Sequence, residues 1–172
     1  MTHATVVRHV TPGSVIGGAA SRLSPAQLAE IVSQTAAAER SWRPIVQFTE
    51  GTRWFRRLAL AAEYEVWLLS WLPGQRTGFH DHGEANGAFA VAQGDLQESL
   101  AAPGRRNVRH RTARASSVTS FGARHLHEVS NVAAAPAISV HAYSPPLTAM
   151  RRYEMRESGL VHVGTERAEI NW

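Results

Sequence analysis

From Pro44 onward, apolar and polar positions alternate in short runs punctuated by Gly, Pro and Asn: 45–49, 53–60, 64–72, 87–93, 96–100, 108–113, 116–121, 126–129, 137–143 and 150–156. Side chains on a strand point alternately to its two faces, so this texture predicts about ten short antiparallel strands in a sandwich or barrel. Pro73-Gly74, Gln93-Gly94-Asp95 and Pro103-Gly104 mark the clearest turns. Before Pro44 the period changes. Ser24-Pro25-Ala26-Gln27 reads as an N-cap, a proline in the first turn and a capping-box glutamine, and Leu28, Ile31 and Val32 follow at helical spacing. The pattern predicts a helix of about 15 residues, ending near Trp42 and Pro44. Residues 1–22 carry no sustained period and predict a partly ordered lead-in. Residues 1–43 therefore form a lead-in and helix packed on the barrel of residues 44–172, within a single domain.

Composition narrows the chemistry. The 172 residues include no cysteine, which excludes disulfides, iron–sulfur clusters, thiolate zinc sites and a cysteine nucleophile. All 18 basic residues are arginine, so Schiff-base and P-loop chemistry are excluded as well. The net charge of +4 bears on association more than on fold. The basic run 105–114 has no interleaved aromatics for base stacking and reads as a solvated hairpin, so no nucleic-acid partner is expected. No apolar run is long enough to span a membrane and no signal segment is evident, which predicts a cytoplasmic protein without a membrane partner.

The candidate chemistry lies in three stretches. In Phe79-His80-Asp81-His82-Gly83, the two histidines at i, i+2 share one face of an extended strand and supply half of a metal site. Gly122 to Asn131 contributes a second pair, His125 and His127, of which one need face the first. Ser139, His141 and Tyr143 share a strand face and can form a hydrogen-bonded row of hydroxyl, imidazole and phenol. Inward placement of that row is favoured because Val140 and Ala142 make only a thin buried face. Glu84 shares the face of His82 but falls short of metal-ligand spacing.

Gly74 with five residues before His80, and His127 with three before Asn131, match the two halves of the cupin signature. Together with Ser139-Val140-His141-Ala142-Tyr143-Ser144-Pro145-Pro146, these stretches resemble the cysteine dioxygenase family over about residues 44–150. The resemblance implies a mainly β cupin, a double-stranded β-helix or jelly-roll barrel with an N-terminal helical segment. It also implies one mononuclear Fe(II) held by His80, His82 and His127, with Ser139, His141 and Tyr143 as the catalytic row and Ser144-Pro145 as a candidate cis bond. Trp54-Phe55-Arg56-Arg57-Leu58 resembles the family's carboxylate-binding strand, giving Arg56 as the substrate-binding residue and Arg57 as its competitor one residue out of phase. Gly87 stands where animal members carry a cysteine cross-linked to the tyrosine, so Tyr143 acts unmodified, as in bacterial members.

Three neutral imidazoles leave the metal its full charge, which favours an anionic thiolate. The resemblance implies oxidation of L-cysteine by O2 to cysteine sulfinate, and a monomer or weak homo-oligomer is expected. The alternatives are oxidation of 3-mercaptopropionate or another small thiol, a three-histidine zinc hydrolase, and a ligand-binding cupin without catalysis.

Overall fold

The computed structural model describes residues 22–167; most of the lead-in predicted for residues 1–22 lies outside the described residues. Helix α1 spans Pro25–Ala37 and begins as the sequence predicts. The Ser24 hydroxyl accepts from the Gln27 amide at 3.3 Å, and Gln27 Oε1 accepts from the Ser24 amide at 2.9 Å, so two otherwise orphaned amides are satisfied reciprocally. It ends earlier than predicted. The chain breaks at Ala38 and resumes as a one-turn helix α2, Glu39–Trp42, followed by a 3-10 turn at Arg43–Ile45. That break turns Trp42 back into the core, where its indole donates to the Thr35 carbonyl at 3.0 Å. The segment 45–49 accordingly forms no strand.

The remaining predicted strands are present with small changes at their ends. They are β1 (Phe55–Leu60), β2 (Glu65–Trp71), β4 (Asn86–Gln93), β5 (Asp95–Leu100), β6 (Arg109–Arg114), β7 (Val118–Phe121), β8 (Leu126–Ser130), β9 (Ala137–Ser144) and β10 (Ala149–Arg156). Two strands lie outside those ten runs, the first of them predicted as extended by its histidine spacing. The histidine segment forms β3 (Phe79–Asp81), and β11 (Gly159–Arg167) pairs along β10. One sheet runs β1-β2-β9-β4-β7 and the other β11-β10-β3-β8-β5-β6. All named pairings are antiparallel, and the two sheets enclose the predicted barrel.

Every residue of β2 and β9 is buried, because each strand has a core on both sides. Trp67, Leu69 and Trp71 point into the barrel, against Phe89, Phe121, Val129 and Met150. Val66 and Leu68, with Ile138, Val140 and Ala142 of β9, meet Leu28 and Val32 of α1 on the outside. Each fully buried aliphatic side chain in that outer layer contributes about 1.5–3 kcal/mol. The small residues Val140 and Ala142 are what a helix lying across the strand requires. The opposite, polar face of β9 is thereby left to the barrel interior.

Candidate metal centre

His80 and His127 are direct cross-strand partners on β3 and β8. His82 follows just beyond β3, where Gly83 turns the chain at φ 60° and donates its amide to Asp81 Oδ1 at 2.9 Å. A left-handed backbone of this kind favours glycine. The intervening Asp81 faces away from the histidines. Its carboxylate accepts from Tyr153 OH at 2.7 Å and Arg151 Nε at 3.0 Å, which ties β3 to β10.

The three imidazoles converge. Ring centroids lie 4.8 Å apart for His80–His82 and His80–His127, and 5.2 Å apart for His82–His127. Each ring offers a nitrogen within 4.8 Å of the others'. His125, the open alternative to His127, instead stacks on Phe121 at 4.3 Å and reaches Glu98. Glu84 is exposed and takes no part.

Hydrogen bonds fix which nitrogens are free. His80 Nδ1 donates to the Gly78 carbonyl at 3.0 Å, and His127 Nδ1 donates to Glu98 Oε1 at 2.7 Å. Each therefore keeps its Nε2 lone pair for a cation. Both ring nitrogens of His82 are buried with no hydrogen-bond partner among the described residues, a costly arrangement that a coordinate bond to the lone-pair nitrogen relieves in part. Burial and the neighbouring imidazoles push His80 and His82 well below the ordinary histidine pKa. Burial also lowers His127, although Glu98 opposes the shift. Three neutral, convergent imidazoles fit a mononuclear divalent metal ion.

Glu98 on β5 is fully buried. Burial alone would raise its pKa, but hydrogen bonds from His125, His127 and Arg111 outweigh that effect and hold the carboxylate ionised. The sequence reading missed this residue, because a lone glutamate on a strand reads as a surface position.

A cavity opens beside the histidines, lined by Arg53, Phe55, Trp67, His80, His127, His141, Tyr143 and Arg152 among others. It measures about 40 Å³ in water-centre volume, which is space for about three waters at the 10–15 Å³ each requires. The row from β9 reaches it. Ser139 Oγ lies 2.8 Å from His141 Nε2, and His141 Nδ1 lies 3.4 Å from Tyr143 OH. Burial takes the His141 pKa down to about 3 and raises that of Tyr143 above the ordinary phenol range. The Ser144-Pro145 bond is cis.

Arg56 is placed elsewhere. It is exposed and pairs in register with Leu68, whose side chain faces α1, so it lies on the outside of the barrel. Arg57 has the inward parity but lies over Trp67 and 3.7 Å from Glu65. The arginine at the cavity is Arg53, just before β1. Its Nε is enclosed without a partner among the described residues, and burial with the nearby Arg152 lowers its pKa to about 10. Arg152 lines the same wall but is occupied by Glu166 and the Thr77 carbonyl. The motif Trp54-Phe55-Arg56-Arg57-Leu58 pointed to the strand, whereas Arg53 lies in the coil that precedes it.

Two antiparallel sheets closed around three inward histidines define a cupin metal site. Solved structures show the same fold: TT1209 from Thermus thermophilus has a TM-score of 0.54 at 15% identity, covering 60% of this chain and 93% of that one. A conserved protein with a double-stranded β-helix domain from Klebsiella pneumoniae has a TM-score of 0.52 at 17% identity, covering 71% and 93%. The chain belongs to the family "Cysteine dioxygenase type I", whose model matches residues 22–156. It is 31% identical over 106 residues to "Cysteine dioxygenase type 1" of Danio rerio, covering 55% of this chain and 51% of that protein. The chain thus spans about half the length of the curated relative it matches. Among the described residues, no helix is long and apolar enough to cross a membrane.

Proposed function

We propose that the protein is an iron-dependent thiol dioxygenase that converts a small thiol carboxylate and O2 to the sulfinate, with L-cysteine as the substrate the family membership favours. The observation that carries this reading is the convergence of three neutral imidazoles on a small cavity that also presents a guanidinium and a phenol. Iron(II) held by His80, His82 and His127 would supply the redox centre at which thiolate and dioxygen meet, with both oxygen atoms ending on sulfur.

The chain's own residues do the rest. Neutral ligands cancel none of the cation's charge, so an anionic thiolate is favoured. Arg53, with an enclosed and unpartnered Nε, takes the substrate-carboxylate role that the sequence assigned to Arg56. Tyr143 remains protonated across physiological pH and serves as the proton donor, held by His141, which Ser139 orients. Phe55, Trp67, Leu69, Val129, Leu147 and Met150 make much of the cavity wall apolar.

One feature favours 3-mercaptopropionate as a second substrate reading. Among the described residues, Arg53 and Arg152 both line the cavity and no Asp or Glu does. This wall suits a carboxylate and offers no carboxylate partner to an ammonium group.

Anaerobic mixing of the iron-loaded protein with thiol, then oxygen, is expected to give sulfinate with about one O2 consumed per thiol. Oxygen uptake without sulfinate overturns the proposal. A zinc hydrolase would purify with zinc and act without oxygen. Side-by-side kcat/KM values for cysteine and 3-mercaptopropionate identify the preferred thiol.

A further inference from the structure

Trp71 is fully buried, and two parts of its indole are engaged. Its Nε1–H donates to Ser139 Oγ at 2.8 Å, while the Arg53 guanidinium lies over the ring at 5.2 Å from the centroid. An indole nitrogen is a donor only, so the direction of the first bond is fixed. Ser139 has no exposed surface, and among the described residues its hydroxyl has one acceptor, His141 Nε2 at 2.8 Å. Having accepted from Trp71, the hydroxyl donates its own proton to His141 Nε2, since the alternative is a buried O–H without a partner.

The consequence passes down the row. A neutral His141 whose Nε2 accepts must carry its proton on Nδ1, the nitrogen facing Tyr143 OH. The phenolic oxygen then accepts from His141, and its own proton is free to point into the cavity. Were the row reversed, Nδ1 would take the phenolic proton and Tyr143 would face the cavity as an acceptor. Phe89 stacks on His141 at 5.3 Å and resists rotation of the ring.

We propose that Trp71 is a positioning residue that sets the proton direction along Ser139, His141 and Tyr143, so that the phenol faces substrate as a donor. The same ring braces Arg53, so one side chain aligns the proton donor and the carboxylate anchor. The catalytic consequence rests on the thiol dioxygenase reading; the proton direction does not.

Trp71→Phe separates the two roles, keeping an aromatic face for Arg53 and removing the N–H. Ser139→Ala cuts the same link without touching Trp71 and serves should the larger change prevent folding. Long-range ¹H–¹⁵N correlation spectra of the full chain loaded with zinc(II), which is diamagnetic, report the His141 tautomer directly. The expected result is a single Nδ1–H tautomer in the wild type and a mixture including Nε2–H in each variant. For the iron-loaded protein, kcat is expected to fall by about tenfold or more in each variant. KM for the thiol should stay within about threefold, because Arg53 keeps its aromatic support. In the double variant, Trp71→Phe should cost less than about twofold beyond Ser139→Ala. An Nε2–H tautomer in the wild type overturns the proposal, as does a Trp71→Phe protein that keeps the pure Nδ1–H form, or costs that multiply in the double variant. Absence of turnover in every form, with the tautomers as expected, would instead count against the dioxygenase reading alone.

Discussion

Glu98 Oε1 accepts a hydrogen bond from His127 Nδ1 at 2.7 Å, joining a carboxylate with no exposed surface to one histidine of the metal cluster. Such a contact fixes the tautomer and orientation of the ring and strengthens its free nitrogen as a donor. Glu98→Gln keeps the side chain's shape and an accepting oxygen but removes the charge. Metal affinity, measured by competition with a chelator, is expected to fall about 10–100-fold. Unchanged affinity would reduce the contact to ordinary packing. His127→Ala should remove most of the bound metal.

Arg53 and Arg56 make opposite predictions from positions three residues apart. A charge-assisted hydrogen bond contributes about 1.5–3 kcal/mol, so Arg53→Ala should raise KM for the thiol carboxylate by roughly 10–150-fold. Arg56→Ala, on the outer face, should leave KM within about twofold. The reverse ranking would restore Arg56 as the anchor and contradict the register of β1 on β2.

Gly87 lies opposite both Tyr143 and Phe121 in register. A Cβ there would overlap the Phe121 ring, which is held between His125 at 4.3 Å and His82 at 5.3 Å. The place of the animal family's cross-linking cysteine is thus filled from the neighbouring strand. Gly87→Ala is expected to destabilise the protein by about 1–3 kcal/mol in denaturant unfolding. Adding Phe121→Leu should recover part of the loss.

His141 is neutral in the fold, with a pKa of about 3 against the usual 6.5. Between those values the unfolded chain binds the proton and the native state does not, so stability falls as pH falls. This one group removes up to about 1.4 kcal/mol per pH unit within that window, and nothing above it. His141→Phe should reduce the slope of unfolding free energy against pH between about 6 and 4 by up to about 1.4 kcal/mol per pH unit, leaving the contributions of His80, His82 and His127.

What the sequence determined is what travels with local spacing. A period of two places His80 with His82, and Ser139 with His141 and Tyr143, whatever the strands around them do. Ser24, Pro25 and Gln27 start a helix because the capping bonds span three residues. The tertiary structure decided what depends on register and on approach from distant segments. His127 was distinguished from His125 by direct pairing of His127 with His80. Arg56 was turned to the outside of the barrel because the parity of β1 is set by its pairing with β2. Glu98, Phe121 and Trp71 acquired their places only when β5, β7 and β2 closed around the barrel. The physical reason is that a one-residue shift of a strand exchanges its faces, and only pairing with partners remote in the chain fixes that shift.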